Sequence, residues 1–206
     1  MARGDESCED LKRQTRAQLL VRAGRAVVAL SAGGVLLAEA DVATAAPVGD
    51  RGVLRMLAAG ERLAIALYER AAALPGVPSP VGIWIEGAVS NEREHLRVLS
   101  EAATGLTGAD VRLAPAATAS LPAALALAAE VESALLAAYL GAVAELSSPD
   151  LQAAAAAIAS SEAQHLAAIG RIRTGRLVPS PAIARGVPPA QARAALAAAG
   201  APADRP

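Results

Sequence analysis

The two histidines of this chain constrain its fold more than any other feature. Each follows a glutamate by three residues, in Glu92-Arg93-Glu94-His95 and Glu162-Ala163-Gln164-His165. Side chains at i and i+3 share one face of a helix, so each tetrapeptide can direct a carboxylate and an imidazole at one point. The pattern predicts two similar helices that bring these groups to a common site.

A second pair of residues repeats at nearly the same distance. The only two tyrosines, Tyr68 and Tyr139, each follow a glutamate by seven residues, namely Glu61 and Glu132. An offset of 71 relates these positions, and an offset of 70 relates the two Glu-x-x-His steps. The chain therefore contains an internal duplication, and its best-preserved positions are candidate metal ligands.

The composition predicts an all-α fold with an aliphatic core. The chain is rich in alanine and leucine, has no phenylalanine and has one tryptophan, Trp84, which we interpret as a core or interface anchor. Alanine and leucine favour helices, whereas strand-forming residues are sparse. We expect four long helices, the first with Asp50 as N-cap: Asp50 to Leu74, Pro80 to Ala103, Leu121 to Leu146, and from the turn at Ser147–Asp150 to Arg173.

The connections between these helices predict their topology. Short turns join the first helix to the second and the third to the fourth, which indicates two antiparallel hairpins. The middle connection, Thr104 to Ser120, is long enough to cross the length of a bundle. We therefore expect a four-helix bundle over residues 47–175 with a long central crossover. A Pro/Ala-rich tail, 176–206, would follow and contain a short helix near Pro189–Ala199.

Residues 1–46 have the pattern of an export signal. A basic region precedes an apolar stretch, Ala26–Ala38, and a small-residue cleavage pattern, Ala43-Thr44-Ala45. Thr15–Leu20 resembles a twin-arginine signal, although Ala17 replaces the second arginine. We expect export through such a degenerate signal or a general one, to the periplasm or another extracytoplasmic site. The alternative is an amphipathic or disordered N-terminal extension of a cytoplasmic protein.

Charge and cysteine content exclude several function classes. The net charge is −1, and nothing beyond the basic N-terminus suggests nucleic-acid binding. Cys8 is the only cysteine, which excludes an intrachain disulfide and thiolate-based zinc or iron–sulfur sites. The ligands of any metal must therefore be carboxylates and imidazoles.

Counting outward from the hairpin turns places one acidic residue of each helix near mid-bundle. Burying four ionised carboxylates without a partner costs several kcal/mol each, so divalent metals or protons must neutralise them. Oxygen-rich ligands with one nitrogen per metal suit iron or manganese, with zinc as a competitor. The six candidate ligands are Glu61, Glu92, His95, Glu132, Glu162 and His165.

These motifs resemble the ferritin-like superfamily over roughly residues 50–173. The Glu-then-Tyr spacing is similar to its exported ferritin-like-domain branch, related to rubrerythrins and manganese catalases. Matched to the known ligand set of di-iron and di-manganese bundles, Glu92 and Glu162 would bridge two ions, and Glu61 and Glu132 would be terminal ligands. No rubredoxin-like cysteine set accompanies the bundle.

The resemblance implies two iron or manganese ions that react with dioxygen or peroxide, or that oxidise ferrous iron. Such a protein would be an oxidoreductase of the ferroxidase, oxidase or catalase-like kind. The alternative is a non-catalytic metal-binding or structural bundle. Tyr68 and Tyr139 would lie behind the ligands, as core residues, as hydrogen-bond partners of the carboxylates or as redox relays. The Ala/Leu-rich flanks of the third helix could serve a homodimer interface or dock the C-terminal tail, and the electron donor stays open.

Overall fold

A computed structural model describes residues 49–103, 105–106, 111–176 and 184–202. These residues form five α-helices and one short 3₁₀ helix, with no strand among them. The helices are α1 (Asp50–Ala72), α2 (Ser79–Ala102), α3 (Leu121–Glu145), α4 (Pro149–Thr174) and α5 (Pro189–Ala199), and the 3₁₀ helix spans Pro115–Thr118. The N-terminal segment with the predicted export signal lies outside the described residues.

The long helices pack as two hairpins. α1 lies against α2, α3 lies against α4, and α1 and α3 join the two hairpins along the centre of the bundle. α2 and α4 meet over a smaller region. The predicted all-α bundle of two hairpins is thus confirmed, with helix ends within two residues of the expected ones.

α1 and α3 approach closely because small residues separate their larger ones. A Cβ atom at Gly60 would lie 2.6 Å from Cδ2 of Leu135, so any larger residue there would require the Leu135 side chain to move. Leu57, Leu63 and Leu67 are fully buried beside this contact. α3 has the length and hydropathy of a membrane span, but it packs against α1, α4 and α5 as the core helix of the bundle.

The start of α1 differs from the prediction. Gly49, not Asp50, is the N-cap, and Asp50 is the first helical residue. The Asp50 carboxylate instead accepts hydrogen bonds from the backbone N–H and the hydroxyl of Ser147, at 3.0 and 2.6 Å. It therefore links α1 to the α3–α4 turn. At α3 the expected cap is present, because Ser120 Oγ accepts a hydrogen bond from the N–H of Ala123.

The predicted short C-terminal helix is α5, which packs against α3 and α1. The chain before it crosses α3 at Gly141, where Val187 N–H donates to the carbonyl of Ala137 at 3.0 Å. A Cβ atom at Gly141 would lie 1.9 Å from the Val187 carbonyl oxygen. Two backbones can therefore touch here only because residue 141 has no side chain.

Candidate metal centre

Each of the four long helices contributes one carboxylate to the interior of the bundle. All four glutamates are 0% exposed, and the two histidines beside them are nearly buried, at 8% and 4%. The residues are Glu61 on α1, Glu92 and His95 on α2, Glu132 on α3, and Glu162 and His165 on α4. The structure thus brings all six sequence-predicted ligands together.

The ligand atoms form two overlapping groups, each with its atoms within 4.8 Å of one another. Position A contains Glu61, Glu92, His95 and Glu162. Position B contains Glu92, Glu132, Glu162 and His165. Glu92 and Glu162 belong to both positions, as bridging carboxylates would, and each position has one further glutamate and one histidine.

Both histidines present Nδ1 to the carboxylates. Nδ1 of His95 lies 2.9 Å from Glu92 Oε2 and 3.1 Å from Glu162 Oε1. Nδ1 of His165 lies 2.8 Å from Glu92 Oε1 and 3.4 Å from Glu162 Oε2. Each of these two shared glutamates therefore directs one oxygen to each histidine. Position A and position B are related in this way by the pseudo-twofold symmetry of the duplication.

Each tyrosine reaches across to the other hairpin. The Tyr68 hydroxyl of α1 donates to Glu132 Oε1 of α3, and the Tyr139 hydroxyl of α3 donates to Glu61 Oε1 of α1. Both tyrosines are buried. They therefore pack in the core and also hold the two non-shared glutamates, so that the second oxygen of each carboxylate is left for the centre.

Burial and charge divide the glutamates into two kinds. Burial, with the neighbouring carboxylates, raises the pKa of Glu61 and of Glu132 well above its usual value. Burial acts in the same direction on Glu92, but hydrogen bonds from both histidines outweigh it and lower its pKa to about 2. The pKa of Glu162 is lowered for the same reason. Glu92 and Glu162 therefore favour the ionised form, and Glu61 and Glu132 favour the protonated form.

The histidines complete the charge balance. Burial by itself lowers their pKa values, but hydrogen bonds with the carboxylates outweigh it and raise the pKa of both His95 and His165 to about 12. Without a metal, two imidazolium cations therefore balance two carboxylate anions. The centre is neutral only because it holds protons where metal ions could bind.

Six buried polar atoms of this cluster make no well-aligned hydrogen bond, although some of them lie close to an oppositely charged group. They are Oε2 of Glu61, Oε1 of Glu92, Oε2 of Glu132, both carboxylate oxygens of Glu162 and Nδ1 of His165. Buried polar groups are normally satisfied, so a group of unpaired acceptors directed at one point needs an explanation. Divalent cations would satisfy these atoms. The four carboxylates are hard ligands and the two imidazoles are borderline ones, and iron and manganese accept this combination.

Two residues near His165 were not predicted as part of the site. Asn91 Nδ2 lies 3.2 Å from His165 Nε2, and the Trp84 ring packs edge-on against His165 and Tyr68. Trp84, which we predicted to be a core or interface anchor, thus also contacts a candidate ligand of the centre. The duplication could not reveal these contacts, because neither residue is repeated in the other half. Arg93 and Glu69, which have no repeated counterpart either, form an exposed ion pair at 2.7 Å.

The fold and the site together define a class, that of helical bundles with a carboxylate–histidine cluster suited to two metal ions. The family model described as a ferritin-like domain matches residues 49–174, which is more than half of the chain. The chain therefore belongs to the ferritin-like domain family. A comparison with curated proteins finds no significant match.

Proposed function

We propose that this protein holds two iron or manganese ions and is a redox protein that reacts with dioxygen or peroxide, or oxidises ferrous iron. One observation supports the proposal above all others. Two four-ligand groups share Glu92 and Glu162 in a fully buried interior, and their unpaired oxygens converge. Such ions would supply the electrons that reduce dioxygen or peroxide.

The residues of the chain perform the remaining tasks. Glu92 and Glu162 would each offer an oxygen to both positions, while Tyr68 and Tyr139 fix the carboxylates of Glu132 and Glu61 from behind. The aliphatic side chains of α1 and α3 exclude bulk water from the carboxylates, which strengthens their attraction for cations. The histidines, on α2 and α4, are the most exposed members of the cluster. We infer that small reactants approach from that side.

Metal analysis tests the first part of the proposal. Protein purified from its native compartment should contain two iron or manganese ions per chain. His95→Ala and His165→Ala should each lower that content, because each removes the only nitrogen ligand of one position. Glu94→Gln is the matched control, since Glu94 is exposed and pairs with Arg97 on the surface. Native protein without a transition metal would contradict the proposal, and zinc at full occupancy would contradict its redox part.

Reactivity separates the enzyme from the second candidate, a metal-binding or structural bundle without turnover. The complete burial of all four carboxylates favours that candidate, because a sealed centre admits no substrate. Protein loaded anaerobically with ferrous iron is mixed with dioxygen or hydrogen peroxide, and consumption of the oxidant is followed. We expect faster oxidation than in Glu61→Gln or in free ferrous iron at equal concentration. Stable ferrous protein in air would favour the structural candidate.

We also propose that residues 1–46 direct export, by a degenerate twin-arginine-like or a general signal. The support is the order of the basic region, the apolar stretch and Ala43-Thr44-Ala45. Mass spectrometry of the endogenous protein should find a mature N-terminus near Ala46 in an extracytoplasmic fraction. An intact Met1 in the cytoplasmic fraction would support the cytoplasmic alternative instead.

A further inference from the structure

The two metal positions are related by the duplication, but their surroundings are not the same. An offset of 70 relates α2 to α4, so each residue near one histidine has a counterpart near the other. The counterpart of Asn91 is Ser161, and the counterpart of Trp84 is Ala154. Both of the larger residues lie in the first half of the chain, and both contact His165 of the second half. His95 therefore lacks the equivalents of these contacts.

Asn91 orients the outer edge of the His165 ring. Its amide lies 3.2 Å from Nε2, the nitrogen that faces away from the carboxylates. A metal on Nδ1 requires the ring proton on Nε2, and after a half-turn of its amide Asn91 Oδ1 can accept a hydrogen bond from that Nε2–H group. Such a partner fixes the ring and raises the basicity of the metal-binding nitrogen. Within the described residues, Ser161 makes no hydrogen bond to His95.

Aromatic packing restrains His165 on its other sides. The ring centroids of Trp84 and Tyr68 each lie 6.4 Å from that of His165, in edge-on arrangements, and Trp84 and Tyr68 lie 5.7 Å apart. Ala154 is too small to provide a matching contact at His95. The side chain of His95 is accordingly 10% exposed, against 5% for His165. On the sides away from the carboxylates, His165 thus has more restraining contacts than His95.

From this asymmetry we infer that the two positions bind metal unequally. Position B, with His165, binds the first ion more tightly and retains it, and position A, with His95, binds the second ion more weakly and exchanges it. Preorganised ligands lose less conformational freedom on binding, and a residue that orients a metal-binding histidine contributes about 10- to 100-fold in affinity. The inference rests on the proposed function only in requiring that the cluster bind divalent metal. Asn91 is a positioning residue in this scheme.

Anaerobic titration with Co²⁺ tests the inference, followed by calorimetry and by the visible spectrum. The wild type should show two binding events that differ in affinity by about 10-fold or more. His165→Ala should remove the tighter event, whereas His95→Ala should remove the weaker one. Asn91→Leu should weaken the tighter event by about 10- to 100-fold, and Asn91→Asp, which keeps an acceptor for Nε2–H, should restore it.

A substitution in the other half provides the converse test. Ser161→Asn should tighten the weaker event by supplying His95 with the missing partner, and Ser160→Asn, one position away on the exposed side of α4, should leave both events unchanged. Asn91 is exposed, so its variants should keep the wild-type circular dichroism spectrum. Two equal or positively cooperative events in the wild type, or Asn91→Leu constants within twofold of wild type, would overturn the inference. Absence of any Co²⁺ binding would instead overturn the proposed function.

Discussion

Loading the metal-free centre with two divalent ions should release protons, and the charge balance of the centre predicts their number. We expect the folded centre to hold four protons at neutral pH, all of which metal ions must displace. Two are on imidazoles whose pKa is about 12, and two are on glutamates whose pKa is raised well above its usual value by burial. These groups are His95, His165, Glu61 and Glu132.

The expected release is therefore about four protons for each pair of ions bound at pH 7. The charge of the centre stays near zero, because two divalent cations replace the four protons beside four carboxylates. By linkage, the overall association constant for the pair should rise by about four orders of magnitude per pH unit near neutrality. Metal binding should thus weaken steeply as the pH falls.

Calorimetry in buffers of different ionisation enthalpy measures this release. The observed heat, plotted against the ionisation enthalpy of the buffer, has a slope equal to the number of protons released. Glu132→Gln should release about one proton fewer, since an amide has none to give, and Glu130→Gln, an exposed change on the same helix, should match the wild type. A release of two protons or fewer would show that the histidines are neutral or that Glu61 and Glu132 are ionised, which would refute the charge balance.

Three further outcomes follow from the packing and the charges. Gly141→Ala should destabilise the protein by about 1 to 3 kcal/mol in denaturant titrations, because the new Cβ would overlap the Val187 carbonyl. Gly87→Ala is the control and should be neutral or stabilising, because a Cβ atom there meets nothing within 4 Å. Tyr68→Phe and Tyr139→Phe should each cost about 1 to 3 kcal/mol in metal-free protein by leaving a buried carboxylate oxygen unpaired; unchanged stability would argue against these hydrogen bonds. In protein stripped of metal by a chelator, the melting temperature should fall as the pH is raised from 6.5 to 8.5. Both histidines have a folded-state pKa of about 12 against an ordinary 6.5, so the folded state binds more protons than the unfolded state in this window. A rising melting temperature would contradict this assignment.

The helices and the candidate ligands could be predicted from the sequence because their signals are local or repeated. Helix ends follow from proline and glycine clusters such as the one at Pro75-Gly76, and Glu92 and His95 share a face by spacing alone. Predicting Glu61 and Glu132 as ligands also required the internal duplication. Whether metal binds to these residues stays a prediction, to be decided by the metal analysis.

Asp50 shows where local rules failed. Its residue type fits an N-cap, but the carboxylate instead bonds to Ser147, which is distant in sequence and adjacent only in the folded bundle. The tyrosines are a similar case. The sequence did not indicate which carboxylates they would contact, and in the structure each hydroxyl reaches the glutamate of the other hairpin.

By itself the sequence determined the helical class, the duplication and the six groups able to bind metal, since helical periodicity and breaker residues act within short segments. Only the tertiary structure decided which histidine receives Asn91 and Trp84. Those contacts join α2 to α4 across the bundle. α2 and α4 come together because α1 of one hairpin packs against α3 of the other. A symmetric pair of motifs thus becomes a centre with two unlike halves.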